Sequence, residues 1–114
     1  MAVVVVDDSG NIKAAQREDG ASMFRVDVAL GKAWAAAAFG VSSRALGERA
    51  RENPNFFVSM ASTAQGRFLP QAGAVPIKGD DGTILGAVGA SGGSGDEDEE
   101  ICAHGVATSG LRPE

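Results

Sequence analysis

Thr83-Ile84-Leu85-Gly86-Ala87-Val88-Gly89-Ala90-Ser91-Gly92-Gly93 is the stretch on which the fold turns. Apolar residues bounded by turn signals predict a strand over 83–90. Gly86 and Gly89 lie inside it, and glycine in a strand interior points to close approach by another backbone. Just upstream, Gly79-Asp80-Asp81-Gly82 is hairpin chemistry that joins this strand to one over 75–78. Before that, Arg67–Leu69 is expected to begin a further strand. Downstream, 91–95 is a glycine-rich loop, and Asp96–Glu100 opens a helix that runs to about Ala107. Carboxylates at that end suit the positive pole of the helix dipole.

Working outward to the N-terminal half, Ala2–Val6 reads as a buried strand, because β-branched residues fit a pleated sheet. Asp7-Asp8-Ser9-Gly10-Asn11 is a turn, 12–17 a second strand, and Asp19-Gly20 breaks the sheet. Ser22 is placed to cap the helix that follows. Met23, Val26, Leu30, Ala33, Trp34 and Ala37 recur at helical spacing. The opposite side carries Gly31, Ala35, Ala36 and Ala38. A helix apolar or small nearly all round is expected to be buried between layers, and Gly40 ends it. Ser42 or Ser43 starts a more polar helix, with Arg44 and Glu48 spaced to pair. Asn53-Pro54 stops that helix and starts another, anchored by Phe56, Phe57 and Met60. Two strands, three helices, three strands and a helix predict an α+β domain over 1–114, with a five-stranded sheet flanked by helices.

Composition excludes several functions. The chain has 114 residues, 10 Lys plus Arg against 15 Asp plus Glu, and a net charge of −5. An acidic chain repels phosphate, so no nucleic-acid partner is expected. One Cys rules out an internal disulfide, and one His with one Cys cannot build the usual four-ligand zinc site. No Tyr is present to serve as a haem ligand. The longest uncharged apolar run, 33–41, falls far short of the about 20 residues a membrane span needs. Asp7 and Asp8 follow the first valines at once, unlike a signal peptide. A cytoplasmic protein with reduced Cys102 is the expectation.

Three blocks together carry a family resemblance. The first is Val3-Val4-Val5-Val6-Asp7-Asp8-Ser9-Gly10, then Arg17-Glu18-Asp19-Gly20-Ala21. The second is Lys32-Ala33 through Ala38-Phe39-Gly40, with 42–46 after it. The third is Gly73-Ala74-Val75-Pro76-Ile77, then Leu85 to Gly93, then Asp98-Glu99. Over about residues 2–107 the chain resembles the GlcG/HbpS-like family, also described as a haem-degrading or haem-binding domain and as the C-terminal domain of PduO-type adenosyltransferases. The resemblance implies a profilin-like fold, a five-stranded antiparallel sheet flanked by helices. It implies self-association, and links with haem or corrinoid binding or with glycolate, diol or aromatic catabolism. Members usually carry a helix before the first strand. Here the sequence opens on the strand, so either the true start lies upstream or a neighbouring subunit covers that surface. Members often carry a histidine before the block that here reads Glu18-Asp19-Gly20-Ala21, and this chain has none there.

The candidate ligand-binding residues are Arg17, Asp19, Lys32, Ser91 and His104. Arginine binds carboxylates bidentately, and Arg17, Arg25, Lys32 and Arg67 are the cations expected to meet an anionic ligand. Lys32, inside a small-residue helix, needs a partner charge, with Asp27 or Glu18 as candidates. Asp19 most simply ends a strand, and the resemblance makes it a site residue too. Ser91 lies in a glycine turn whose N–H groups suit a carboxylate. A serine triad is rejected, because the single histidine is expected to face outward, and no Gly-Lys-Ser/Thr follows to make a phosphate loop. His104 sits about 200° from Cys102 on the helical wheel, so the two cannot share one metal ion. Its plain reading is a surface side chain paired with Glu100, with a ligand role across a subunit interface as the alternative. Cys102 on the apolar face reads as structural. The acidic run 96–100 reads as a solvated helix start. The leading expectation is a homo-oligomer binding haem or a related tetrapyrrole in a subunit-interface cleft. The alternatives are an enzyme or accessory protein of small-acid or aromatic catabolism, acting through Asp19, Lys32 and Ser91, and a purely structural subunit.

Overall fold

The computed structural model describes residues 1–114. In chain order the elements are β1 (Ala2–Asp7), β2 (Ile12–Arg17), α1 (Arg25–Phe39), α2 (Ser43–Glu52), α3 (Pro54–Thr63), β3 (Ala74–Lys78), β4 (Ile84–Ser91) and α4 (Gly95–Thr108). The strands form one antiparallel sheet in the order β2-β1-β4-β3. The architecture is α+β as expected, but the sheet has four strands rather than five.

The missing strand is the one expected at Arg67–Leu69. Phe68 turns down into an aromatic cluster, with its ring centroid 5.7 Å from Phe39 and 5.8 Å from Phe57. Leu69 N–H donates to the carbonyl of Gly31 on α1 at 3.1 Å. Gly31 has no side chain to hold this segment away, and Pro70, which follows, has no N–H to give a ladder. The segment therefore runs across α1 instead of pairing in the sheet.

β1 sits in the middle and alternates strictly in burial. Val4 and Val6 face α1, where they pack with Ala29, Ala33, Ala36, Ala37, Ala74 and Ala87. Val3 and Val5 face the other side, toward Val75, Val88, Cys102 and Val106. α1 is covered on its back by Leu46, Phe57 and Phe68 around Ala35. A helix made almost wholly of small residues is thus sandwiched between two layers, as its sequence predicts. Gly89 makes the close packing possible. A Cβ there would lie 2.3 Å from the Ala29 carbonyl oxygen and 3.0 Å from the Ala33 nitrogen.

Local signals hold in most places. Ser42 caps α2 by accepting from Ala45 N–H at 3.2 Å. The hairpin turn closes through Gly82 N–H to the Gly79 carbonyl at 3.0 Å. Ser22 does not cap α1 with its side chain. The helix begins later, its cap residue is Phe24, and no side chain accepts from the first turn. Arg44 does not pair with Glu48. It reaches Asp96 and, at 3.1 Å, Glu99 on α4, its long side chain spanning from one helix to the other. Phe56 is half-exposed, leaving Phe57 to anchor α3. No helix is long and apolar enough to cross a membrane.

Candidate functional site

The sheet register brings Arg17, Ala2 and Ser91 into one cross-strand row. Residues in such a row point to the same face. This face is the one α1 covers, because Ala2 shares its parity with Val4 and Val6. The first residue of α1, Arg25, donates from Nη1 to Ser91 Oγ at 3.2 Å. Two guanidinium groups therefore flank one end of the sheet, Arg17 exposed and Arg25 half-buried. Ser91 is 1% exposed. Met23 and Phe24, just before Arg25, are 74% and 62% exposed, a large apolar surface beside the two cations. Asp19 stands nearby in chain order, exposed in the turn that leaves β2. The N-terminal amides of α1 have no side-chain cap, which adds partial positive charge to this end. The arrangement suits a ligand with a carboxylate and an apolar body. It offers no activated nucleophile, since no base lies beside the buried Ser91 hydroxyl.

Lys32 is not on this surface. It is 6% exposed, and its ammonium donates to the Ala90 carbonyl at 3.1 Å and pairs with Asp98 Oδ2 at 3.4 Å. Neither Asp27 nor Glu18 is its partner. Glu18 instead meets the N-terminal ammonium at 3.1 Å. Asp98, 2% exposed, also accepts the Gly93 N–H on Oδ1 at 2.9 Å. The acidic run is therefore not wholly solvated. Gly73 leaves room for the Lys32 head, because a Cβ there would lie 2.5 Å from Nζ. The sequence held a signal for Asp98 that went unused. It lies four residues before Cys102, and so on the same buried face of α4. Ser94 starts that helix with a capping box, and its N–H, donating to Glu97 at 2.8 Å, holds the Glu97 carboxyl below the usual range.

Cys102 is buried, as its sequence position predicts, and its thiol donates weakly to the Gly73 carbonyl at 3.6 Å. Burial first, and then the Asp98 carboxylate, push its pKa up to about 12. The thiol should resist iodoacetamide at pH 8 in the folded protein and react once urea unfolds it. The raised pKa means the folded state holds its proton longer. Its stabilising effect is complete below pH 9, the ordinary thiol value, and is lost as pH rises toward about 12. A Cys102→Ala variant should lack that alkaline loss in urea melts, and an unchanged pH profile would count against the burial argument.

His104 is exposed on α4 and makes no side-chain bond to Glu100. It shares a shallow depression with Glu97, Glu100 and Ile101. Ile101 also lines a cleft of about 410 Å³ on the outer sheet face, with Val3, Val5, Val88 and Val106 among its walls. The predicted residues thus separate. Arg17 and Ser91 share one surface, with Asp19 close in sequence, Lys32 lies beneath it, and His104 is elsewhere. Arg25 as the partner of Ser91 and Met23 as its exposed neighbour were missed, because both depend on where α1 begins.

A small-residue helix laid on a glycine-containing antiparallel sheet, with a cationic and apolar surface at one end, defines a class of small α+β domains. The chain belongs to the HbpS-like family: the model for haem degrading protein HbpS-like matches residues 1–107. Among solved structures it is similar to PduOC in complex with haem, at 25% identity and a TM-score of 0.85, covering 99% of this chain and 80% of that one. It is similar to the Klebsiella pneumoniae protein ORFY at 29% identity and a TM-score of 0.80, covering 93% and 73%. A double mutant of Streptomyces reticuli HbpS gives 29% and 0.80, covering 94% and 69%. No curated protein matches the chain.

Proposed function

We propose that the chain binds a tetrapyrrole of the haem type on the surface built by Arg17, Arg25, Met23 and Phe24, with the buried Ser91 hydroxyl holding Arg25. The observation that carries the reading is the placement of Arg17 and Arg25 at one end of the sheet, with exposed Met23 and Phe24 directly before Arg25 in the chain. Carboxylates such as haem propionates pair with arginine through charge-assisted hydrogen bonds. An apolar macrocycle is matched by Phe24, and Met23 offers a thioether, a known type of haem iron ligand. The family and the haem complex of a relative support the reading. The cleft beside Ile101 suits it less, because Glu97 and Glu100 near its margin repel propionates. The proposed surface is open, so a second subunit would complete it, and self-association belongs to the proposal. Light scattering on the eluting protein checks that part, and a strictly monomeric species would overturn it.

Titration with haemin at micromolar protein is expected to give a saturable Soret shift. Arg25→Met should weaken binding by about tenfold or more, the size expected for losing a charge-assisted bond. Ile101→Trp, which fills the other cleft, should leave affinity unchanged. The absence of any Soret shift with the wild-type protein would sink the haem reading. The opposite pattern in the two variants would move the site to the cleft.

A second reading, binding of a small carboxylic acid, draws on the same guanidinium groups. Acid–base catalysis by Lys32 has no support in this geometry, since its ammonium is buried and engaged on two sides. Titration with glycolate and benzoate in the same assay separates the ligand classes.

A further inference from the structure

We propose that Lys32 and Asp98 are positioning residues that clamp the turn over 90–93 from both ends and so set Ser91, whose buried hydroxyl holds Arg25 of the ligand surface. The inference rests on the functional reading above. Lys32 Nζ holds the Ala90 carbonyl at 3.1 Å, one residue before Ser91. Asp98 Oδ1 holds the Gly93 N–H at 2.9 Å, two residues after it. The two side chains are joined to each other at 3.4 Å, so α1, the end of β4 and α4 meet at one buried pair. Between the two fixed points the chain has little freedom. Gly92 lies at φ +147°, and a Cβ there would come 2.7 Å from the Met1 Cα. The turn cannot be held from its outer side, where Gly92 and Gly93 are exposed. Ser91 itself is also held opposite Ala2 in the sheet and by its bond from Arg25 at 3.2 Å, so the clamp acts on the turn that leaves it.

Neither Lys32 nor Asp98 reaches the surface, so neither touches a ligand there. Their effect runs through the backbone. A loop left free would sample other conformations, and binding would be weakened by the fraction of time it spends in the right one. A purely structural pair predicts a different pattern, in which ligand affinity simply follows global stability.

Two double variants separate these outcomes. Both replace the charged pair with neutral side chains, and they differ only in whether position 98 can accept the Gly93 N–H. K32M/D98N keeps a carbonyl oxygen for that bond, and K32M/D98L does not. Amide exchange by NMR and haemin titration are read on both, with urea melts for stability. In K32M/D98L the Gly93 amide is expected to exchange at least about tenfold faster than in K32M/D98N, with haemin affinity about tenfold weaker, at comparable stability. Equal exchange and affinity in the two would overturn the proposal, as would faster exchange with unchanged affinity. The wild-type protein gives a test that needs no variant: the Gly93 amide should be protected, and an unprotected one ends the argument. If wild-type protein binds no haemin while the exchange pattern holds, the functional reading fails and the clamp on the turn stands, with the same variants then read against glycolate and benzoate.

Discussion

Alanine in place of Gly89 is expected to destabilise this protein strongly. The new Cβ would stand 2.3 Å from the Ala29 carbonyl oxygen and 3.0 Å from the Ala33 nitrogen. Both are backbone atoms of α1, so no side chain can swing away. The helix would have to lift off the sheet, loosening Val4, Val6 and Ala87 from Ala29, Ala33 and Ala36. Overpacking a core usually costs about 1–3 kcal/mol, and a clash between two backbones belongs at or above the top of that range. For a domain near this size each kcal/mol lowers the melting temperature by about 4–8 °C, so a loss of about 3 kcal/mol and a fall of at least about 12 °C are expected. Gly105→Ala is the control. It lies in α4 with nothing within 4 Å of a new Cβ, and the helix should gain about 0.5–1 kcal/mol. A Gly89→Ala protein that melts with the wild type would show that α1 does not sit this close to β4.

Removing one partner of the buried Lys32–Asp98 pair should cost at least as much, and the sign of the effect depends on whether one or both partners are removed. Lys32→Met leaves the Asp98 carboxylate buried at 2% exposure beside an apolar chain. Asp98→Leu leaves the Lys32 ammonium with only the Ala90 carbonyl. Breaking a buried pair from one side costs about 3–5 kcal/mol, while replacing both partners with apolar groups of similar size is often neutral. Each single variant is therefore expected to lose most of the protein's margin, and K32M/D98L to recover it. Urea melts of the four proteins give the coupling directly. Additive losses across the cycle would mean that the two side chains do not pair in solution.

Much of the fold was legible because the deciding signals are local. The β-branched run in 2–6, the turn at 79–82, the proline at position 54 and the small residues of 29–38 each act within a few residues, and each is where the sequence predicts. Ser42 fixes the start of its helix with its own hydroxyl. The failures share a cause. Ser22 has the chemistry of a cap, yet the chain turns on through Phe24 before α1 begins. Arg67–Leu69 has the look of a short strand, yet the pull on Phe68 from Phe39 and Phe57 is stronger than its local preference.

The candidate site follows the same division. Residue type marked Arg17 and Ser91 as candidates, the family resemblance marked Asp19, and the place of Cys102 on a buried helix face followed from spacing alone. Spacing also set His104 apart from Cys102 on the far side of α4. The partner of Lys32 was beyond reach of the sequence. Asp27 and Glu18 were near in the chain, whereas Asp98 lies 66 positions away. Burial of a charge demands a partner, and that demand is readable from a lysine among alanines. Which carboxylate answers it depends on α4 crossing the end of β4, and the bond from Arg25 to Ser91, also 66 positions apart, depends on where α1 meets that strand. Local chemistry thus determined the elements and the need for a counter-charge, while long-range packing chose the pairs, because only the assembled layers bring those groups together.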